Sequence, residues 1–278
     1  MIKKDSADFS AVKTNTLLMG DENFAYFSPS EQLKTLISNY TITFPNKGVI
    51  SDDYTIVPHG SATLVLTYDG ADLRILIFGP SSKPYFVGKN ANACSVIFII
   101  EFQPAGLFVF TGTKQNQLMD TIISFEQIAP RLDSSIKEIF CNAGTAEELL
   151  TRIESLLLCS QCSQYPAEFR LAVQLIIQSN GNISLKEITE KTFYSERHLN
   201  RLSNHYLGFN LKHFSRIVRI NKAIYLLHHT SYSLDYISAE SGFYDISHFI
   251  RDFRAVCGVT PQEYRNNLSD FYSAIAKF

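Results

Sequence analysis

One stretch of this sequence is written twice, 49 to 50 residues apart, and that echo leaves the C-terminal part few ways to fold. Ser184-Leu-Lys-Glu-Ile188 matches Ser233-Leu-Asp-Tyr-Ile237 at an offset of 49. After one inserted residue, Tyr194, His198, Arg201 and Gly208 recur as Tyr244, His248, Arg251 and Gly258 at an offset of 50, with Leu199/Phe249 and Phe214/Tyr264 as apolar equivalents. Each copy spells a short helix, a break, an N-cap residue (Ser195 or Asp245), a second helix and a closing glycine. This is a helix-turn-helix in duplicate. Two copies are too few for a helical solenoid, which needs three or so units to bury its faces.

The second helix of each copy has an outward face suited to base edges. From Ser195 to Tyr206, Leu199, Leu202 and Tyr206 share one side while Arg197, Asn200, Arg201 and Asn204 take the other. From Asp245 onward, Phe249 and Phe253 point inward, and Ile246, Ser247, His248, Arg251 and Arg254 lie outside or on the flank. Arg can bind guanine O6 and N7 through two bonds, Asn can pair with adenine, and an isoleucine can touch a thymine methyl. A plain helical bundle with solvated Arg and Asn is the alternative; two such helices in register speak against it.

These residues carry a family resemblance. Ile183-Ser-Leu-Lys-Glu-Ile, Tyr194-Ser-Glu-Arg-His-Leu-Asn-Arg-Leu and Arg219-Ile-Asn-Lys-Ala-Ile-Tyr-Leu-Leu resemble the first half of an AraC/XylS-type DNA-binding domain. Ile237-Ser-Ala-Glu-Ser-Gly-Phe-Tyr-Asp-Ile-Ser-His-Phe-Ile-Arg-Asp-Phe-Arg and Gly258-Val-Thr-Pro-Gln-Glu-Tyr-Arg265 are similar to its second half. The resemblance implies seven helices, with a long one near Leu211 to His228 holding the two recognition helices in successive major grooves. It implies base-reading roles for Arg197, Asn200, Arg201, Ile246, Ser247, His248 and Arg251, and DNA-backbone roles for Ser195, Lys212, Asp245 and Arg254. Double-stranded DNA, a small-molecule effector, RNA polymerase and a second copy of the chain are the partners it implies, with no cofactor and no metal. Two positions depart from the family pattern: Ser203 replaces an aromatic, and Phe193 replaces a small turn residue. Phe193 is expected to fill the space that Ser203 leaves.

Composition divides along the same line. The net charge of −2 combines −5 over residues 1–166, +3 over residues 167–268 and a neutral tail, and six of the seven histidines fall in the basic part. A polyanion would dock there. The acidic part alternates runs rich in Val, Ile, Thr, Tyr and Phe (Tyr40 to Phe44, Ala62 to Tyr68, Leu73 to Phe78, Ser95 to Phe102, Leu107 to Thr111) with breakers at Pro45-Asn46-Lys47-Gly48, Pro58-His59-Gly60, Asp69-Gly70 and Gly79-Pro80, which predicts strands and hairpins. A helix is expected over Ser30 to Ser38 and helical structure after Gln117. Another is expected from the Thr145 cap to Leu158, whose Leu150/Leu157 spacing suits packing on its own domain or pairing with a second copy. Pro58-His-Gly, Phe78-Gly-Pro and Phe102-Gln-Pro-Ala-Gly resemble, more weakly, the β-barrel sensor domains that precede such DNA-binding domains.

The expectation is thus an α+β chain. A β-barrel-like (cupin-like) sensor and dimerisation domain with flanking helices spans 1–163, and an all-α domain spans 164–278, with helix-turn-helix motifs near 183–207 and 233–257. No apolar run reaches the ~20 residues of a membrane helix, and the N-terminus lacks an export signal, so a cytoplasmic protein is expected. Five scattered cysteines predict reduced thiols, and Cys159-Ser-Gln-Cys162 lacks the second pair a zinc site needs. His59, the only histidine before residue 198, is expected in a turn and not as a metal ligand. A sequence-specific, non-enzymatic transcription regulator is the main reading. An alkylation-response protein with a cysteine methyl acceptor is the alternative, and it would need an activated thiol that no spacing suggests.

Overall fold

The computed structural model describes residues 2, 4, 8–45 and 55–266. The expected turn at residues 46–48 and the last residues of the expected C-terminal domain, 267–278, lie outside the described residues.

Seven strands form one antiparallel sheet: β1 (Leu17–Gly20), β2 (Phe24–Phe27), β3 (Ile37–Thr43), β5 (Thr63–Tyr68), β6 (Leu73–Phe78), β8 (Val96–Phe102) and β9 (Ile122–Ser124), in the order β1-β2-β3-β8-β5-β6-β9. A two-stranded ribbon of β4 (Thr55–Ile56) and β7 (Tyr85–Phe86) stands apart from it. Because side chains alternate across a strand, the sheet has two characters. Tyr40 and Ile42 of β3, Leu64 and Leu66 of β5, and Phe98, Ile100 and Phe102 of β8 enter the hydrophobic core. Asn39, Thr41 and Thr43, Thr63 and Val65, and Ile97, Ile99 and Glu101 face a cavity on the other side.

The core face is covered by α1 (Gly106–Thr111), α2 (Pro130–Asn142) and α3 (Ala146–Cys159). Thr145 caps α3 as expected, its hydroxyl accepting from the Glu148 amide at 3.2 Å. Leu150 and Leu157 are buried in the chain's own core, so their spacing serves packing and presents nothing to a second copy. Glu154, also buried, accepts from Asn15 Nδ2 at 2.9 Å and from the Ser30 amide at 2.8 Å.

Three expected elements are overturned. Residues 31–36 are turns, and Ile37 opens β3 opposite Phe102. Sheet pairing and the capture of the Ser30 amide by Glu154 outweigh the local helical pattern. Leu107 to Thr111 belongs to the short helix α1, buried all round, where an apolar run carries no period to distinguish helix from strand. Gly106 begins that helix against the Leu36 carbonyl, where an added Cβ would lie 2.1 Å from the oxygen. After Gln117 the chain first adds the edge strand β9 and only then turns helical.

Beyond a break at residues 161–166 come, among the described residues, seven helices: α4 (Ala167–Gln178), α5 (Leu185–Thr192), α6 (Glu196–Leu207), α7 (Leu211–His229), α8 (Leu234–Glu240), α9 (Ile246–Cys257) and α10 (Pro261–Asn266). Their buried side chains fall into two clusters. The first helix-turn-helix, α5 and α6, joins the sheet domain in one continuous core that runs through Phe169, Leu199, Phe214 and Val218. Tyr206 sits at the seam, its ring 4.8 Å from Phe108 and 5.2 Å from Phe169. The second helix-turn-helix, α8 and α9, has its own core of Ile220, Leu227, Ile237, Phe249 and Phe253, which includes Val57 of the sheet domain.

Candidate nucleic-acid interface

The second helix of each helix-turn-helix begins on the cap that the repeat predicts. Ser195 Oγ accepts from the His198 amide at 3.3 Å at the start of α6, and Asp245 Oδ1 accepts from the His248 amide at 2.7 Å at the start of α9. Such caps satisfy amide donors that a helix otherwise leaves open. The Asp245 carboxylate is thereby committed to its helix, and its charge opposes a phosphate contact.

On α6, Arg197 and Arg201 are exposed, and Arg201 Nη2 lies 3.3 Å from His198 Nδ1. Lys212, at the start of α7, is exposed as well. Asn200 is half-buried and its Oδ1 accepts from the Leu211 amide at 3.1 Å, so this side chain splices α6 to α7. On α9, Ser247, His248, Arg251 and Arg254 are exposed, whereas Ile246 is half-buried against the second core.

The structure adds residues that sequence reasoning passed over. Asp252, on the inward side of α9, is buried, and its Oδ2 lies 3.2 Å from Arg216 Nε of α7 and 3.5 Å from His248 Nε2. An acid beside the inward Phe253 was the available signal. Arg219 of α7 donates from Nη1 to the Gly181 carbonyl at 2.7 Å and places its guanidinium 5.4 Å from the Phe243 ring centre, joining the loop before α5 to the turn before α9. Burial lowers its basicity.

Phe193 does not fill a space beside Ser203. It is 93% exposed and closes α5 at φ +57°, a conformation that bulky residues rarely adopt. Ser203 is buried and donates to the Phe209 carbonyl at 2.5 Å. The exchange of bulk runs through a different pair: this copy has Ser203 and a buried Phe209, while the second copy has a buried Phe253 and an exposed Val259 at the matching places.

The inserted residue of the repeat is also located. Phe193 at φ +57° corresponds to Gly242 at φ +77°, an offset of 49, while the caps Ser195 and Asp245 stand 50 apart. Tyr194 packs on His198 with centroids 4.5 Å apart, and Phe243 packs on His248 at 5.8 Å. Phe243 is therefore the counterpart of Tyr194, and Tyr244, 96% exposed, is the extra residue. Tyr194 and Tyr244 share a letter but not a place.

Residues 188–267 match a family described as a helix-turn-helix domain. The C-terminal part of this chain is a helix-turn-helix domain of the AraC type. Residues 25–124, most of the sheet, match a family described as a domain of unknown function (DUF6597). An uncharacterized HTH-type transcriptional regulator of Staphylococcus aureus is 31% identical over 86 residues, which are 31% of this chain and 12% of that protein. The HTH-type transcriptional activator RhaR of Enterobacter sp. is 30% identical over 97 residues, 35% of this chain and 34% of RhaR. The match thus spans well under half of either relative. Among solved structures, ToxT of Vibrio cholerae is similar at 13% identity and a TM-score of 0.45, covering 92% of this chain and all of that one. The C-terminal domain of AraT, a response regulator of Geobacillus stearothermophilus, is similar at 26% identity and a TM-score of 0.36, covering 39% of this chain and 93% of that one.

Proposed function

We propose that this chain is a sequence-specific DNA-binding transcription regulator that reads two successive major grooves with α6 and α9. The observation that carries this reading is the pair of exposed arginine faces, Arg197/Arg201 and Arg251/Arg254, each on a capped helix of a duplicated helix-turn-helix. Arg197, Arg201, Ser247, His248 and Arg251 are the base readers in this proposal. Asn200 contributes through its amide nitrogen, since its oxygen holds Leu211. Ile246 lies at the flank as an apolar contact to a thymine methyl. Ser195, Lys212 and Arg254 face the phosphates, where amide, hydroxyl and cationic donors fix register. We place the boundary between a sensor part, 1–163, and the reading part, 164–278, in the break before α4. RNA polymerase is the protein partner this function brings, and the cytoplasm its site of action.

The methyl-acceptor alternative finds no support in the two thiols that burial perturbs. Burial pushes both Cys94 and Cys257 above the usual thiol range, the reverse of what an activated nucleophile needs. Selection of duplexes from a random pool by the full chain tests the regulator reading. An enriched motif with two blocks about one helical turn apart is expected, with affinity falling steeply as salt rises. Binding without any enriched motif would refute it.

A further inference from the structure

Among the described residues, the two most exposed large aromatic or aliphatic side chains are Phe193, at 93%, and Tyr244, at 96%; the next, Phe86, stands at 60%. Both lie in one part of the fold, the turn between the two helices of a helix-turn-helix: Phe193 between α5 and α6, Tyr244 between α8 and α9. Large side chains scattered singly over a surface need no explanation. Two that are almost wholly exposed, one in each turn of a duplicated motif, do.

Folding does not account for them. Each turn already has an aromatic that packs: Tyr194 lies on His198 and donates to Glu168 Oε2 at 3.2 Å, and Phe243 lies on His248 and on Phe249, 5.2 Å between ring centres in the latter pair. Phe193 also holds a left-handed backbone at φ +57°, where its counterpart is Gly242 at φ +77°. A strained and solvated phenylalanine lowers stability, and such strain collects where something other than folding uses it.

The place of the two side chains limits what they can reach. Phe193 stands two residues before the cap Ser195, and Tyr244 directly before the cap Asp245. The N-terminal end of a recognition helix is the end that meets the bases, so the turn before it runs beside the sugar–phosphate edge of the groove. Each helix start also carries a carboxylate, Glu196 on α6 and the Asp245 cap on α9, which repels phosphates and weakens an electrostatic hold at that end. An uncharged ring makes a contact that this acid does not oppose. Wedging between base steps belongs to the minor groove and base stacking to unpaired strands, so neither suits a helix seated in the major groove of a duplex.

We propose that Phe193 and Tyr244 are sequence-independent docking contacts, one for each of α6 and α9, whose rings rest on the deoxyribose edges beside the two blocks and help to seat the helices without choosing bases. This rests on the DNA-reading function proposed above.

Phe193→Gly, Tyr244→Ser and the double variant of the full chain are compared with the parent on one duplex that the parent selects. Each single variant should bind about three- to tenfold more weakly, as loss of a few tens of Å² of apolar contact would give, and the double variant should lose about the product of the two. Phe193→Gly should raise the thermal midpoint while it weakens binding, which sets the loss apart from misfolding. The slope of log affinity against log salt should match the parent's, because an uncharged ring releases no counterion. Preference among single-base variants of the duplex should also be unchanged. Parental affinity in either single variant, a shallower salt slope or an altered base preference would overturn the proposal. If the parent selects no duplex, the DNA-reading function falls and this proposal with it; if the parent selects one and the variants bind it equally well, this proposal alone falls.

Discussion

Arg216 of α7 and Asp252 of α9 meet at 3.2 Å, Nε to Oδ2, and the same carboxylate oxygen lies 3.5 Å from His248 on the outer face of α9. A buried acid thus connects the joining helix to a side chain for which base contact is proposed above. Removing one partner of such a pair leaves the other without compensation. Asp252→Asn should cost about 1–3 kcal/mol in urea unfolding, at the lower end because Arg216 is partly exposed. Its effect on DNA should concentrate on the block read by α9. An unchanged unfolding midpoint would mean that the pair contributes nothing net.

Phe193 holds a left-handed backbone that its counterpart Gly242 adopts without strain. Phe193→Gly should therefore stabilise the chain by about 1 kcal/mol, the relief of the left-handed conformation less the extra freedom of the unfolded glycine. Gly242→Ala should act in the opposite sense, because at φ +77° a Cβ would lie 1.7 Å from Asn182 Oδ1. Thermal denaturation of the two variants checks both signs.

Arg201 and Arg251 occupy matching places on α6 and α9 and are both exposed. Either alanine variant should lose about 1–3 kcal/mol on a selected duplex and relax preference at one base position. Competition binding against single-base variants of that duplex measures this. A uniform loss over all sequences would reassign the arginine to the phosphates.

Burial holds His228 down to about 4, with the charge of His229 adding to the effect, and its Nε2 lies 3.1 Å from the Tyr264 hydroxyl. The unfolded imidazole titrates near 6.5. Below that value the unfolded chain binds a proton that the folded chain refuses, so stability falls as pH drops from about 6.5 towards 4. Solvent screening at this half-buried ring keeps the contribution to about 1–2 kcal/mol, under the roughly 3 kcal/mol of the bare shift. Urea midpoints between pH 4.5 and 7.5 should slope less steeply in His228→Gln than in the parent.

The C-terminal architecture was legible because two copies of one pattern fix each other: caps, inward apolar residues and terminating glycines recur and leave little freedom. Their register was legible only to within a residue. Tyr194 and Tyr244 look equivalent, and only packing on His198 and His248 shows that Phe243 holds the matching place. In the sheet domain, Ser30 to Ser38 misled because its helical spacing is local while Ile37 answers to Phe102, 65 residues away. The cavity was hidden for a related reason. β3 alternates openly, with Asn39, Thr41 and Thr43 against Tyr40 and Ile42, but the unbroken run Val96 to Ile100 does not tell its two faces apart, and Glu101 alone marks the polar side. No local signal predicts that α7 closes the opening.

Two cores of unequal attachment would make the proposed grip on a duplex uneven in time. The first head is part of the sheet domain's own interior, while the second hangs from the far half of α7 with Val57 as its buried tie to that domain. If α6 and α9 read two grooves as proposed, release should start at α9, the head with the smaller buried attachment, and residence time should follow the fused head α6.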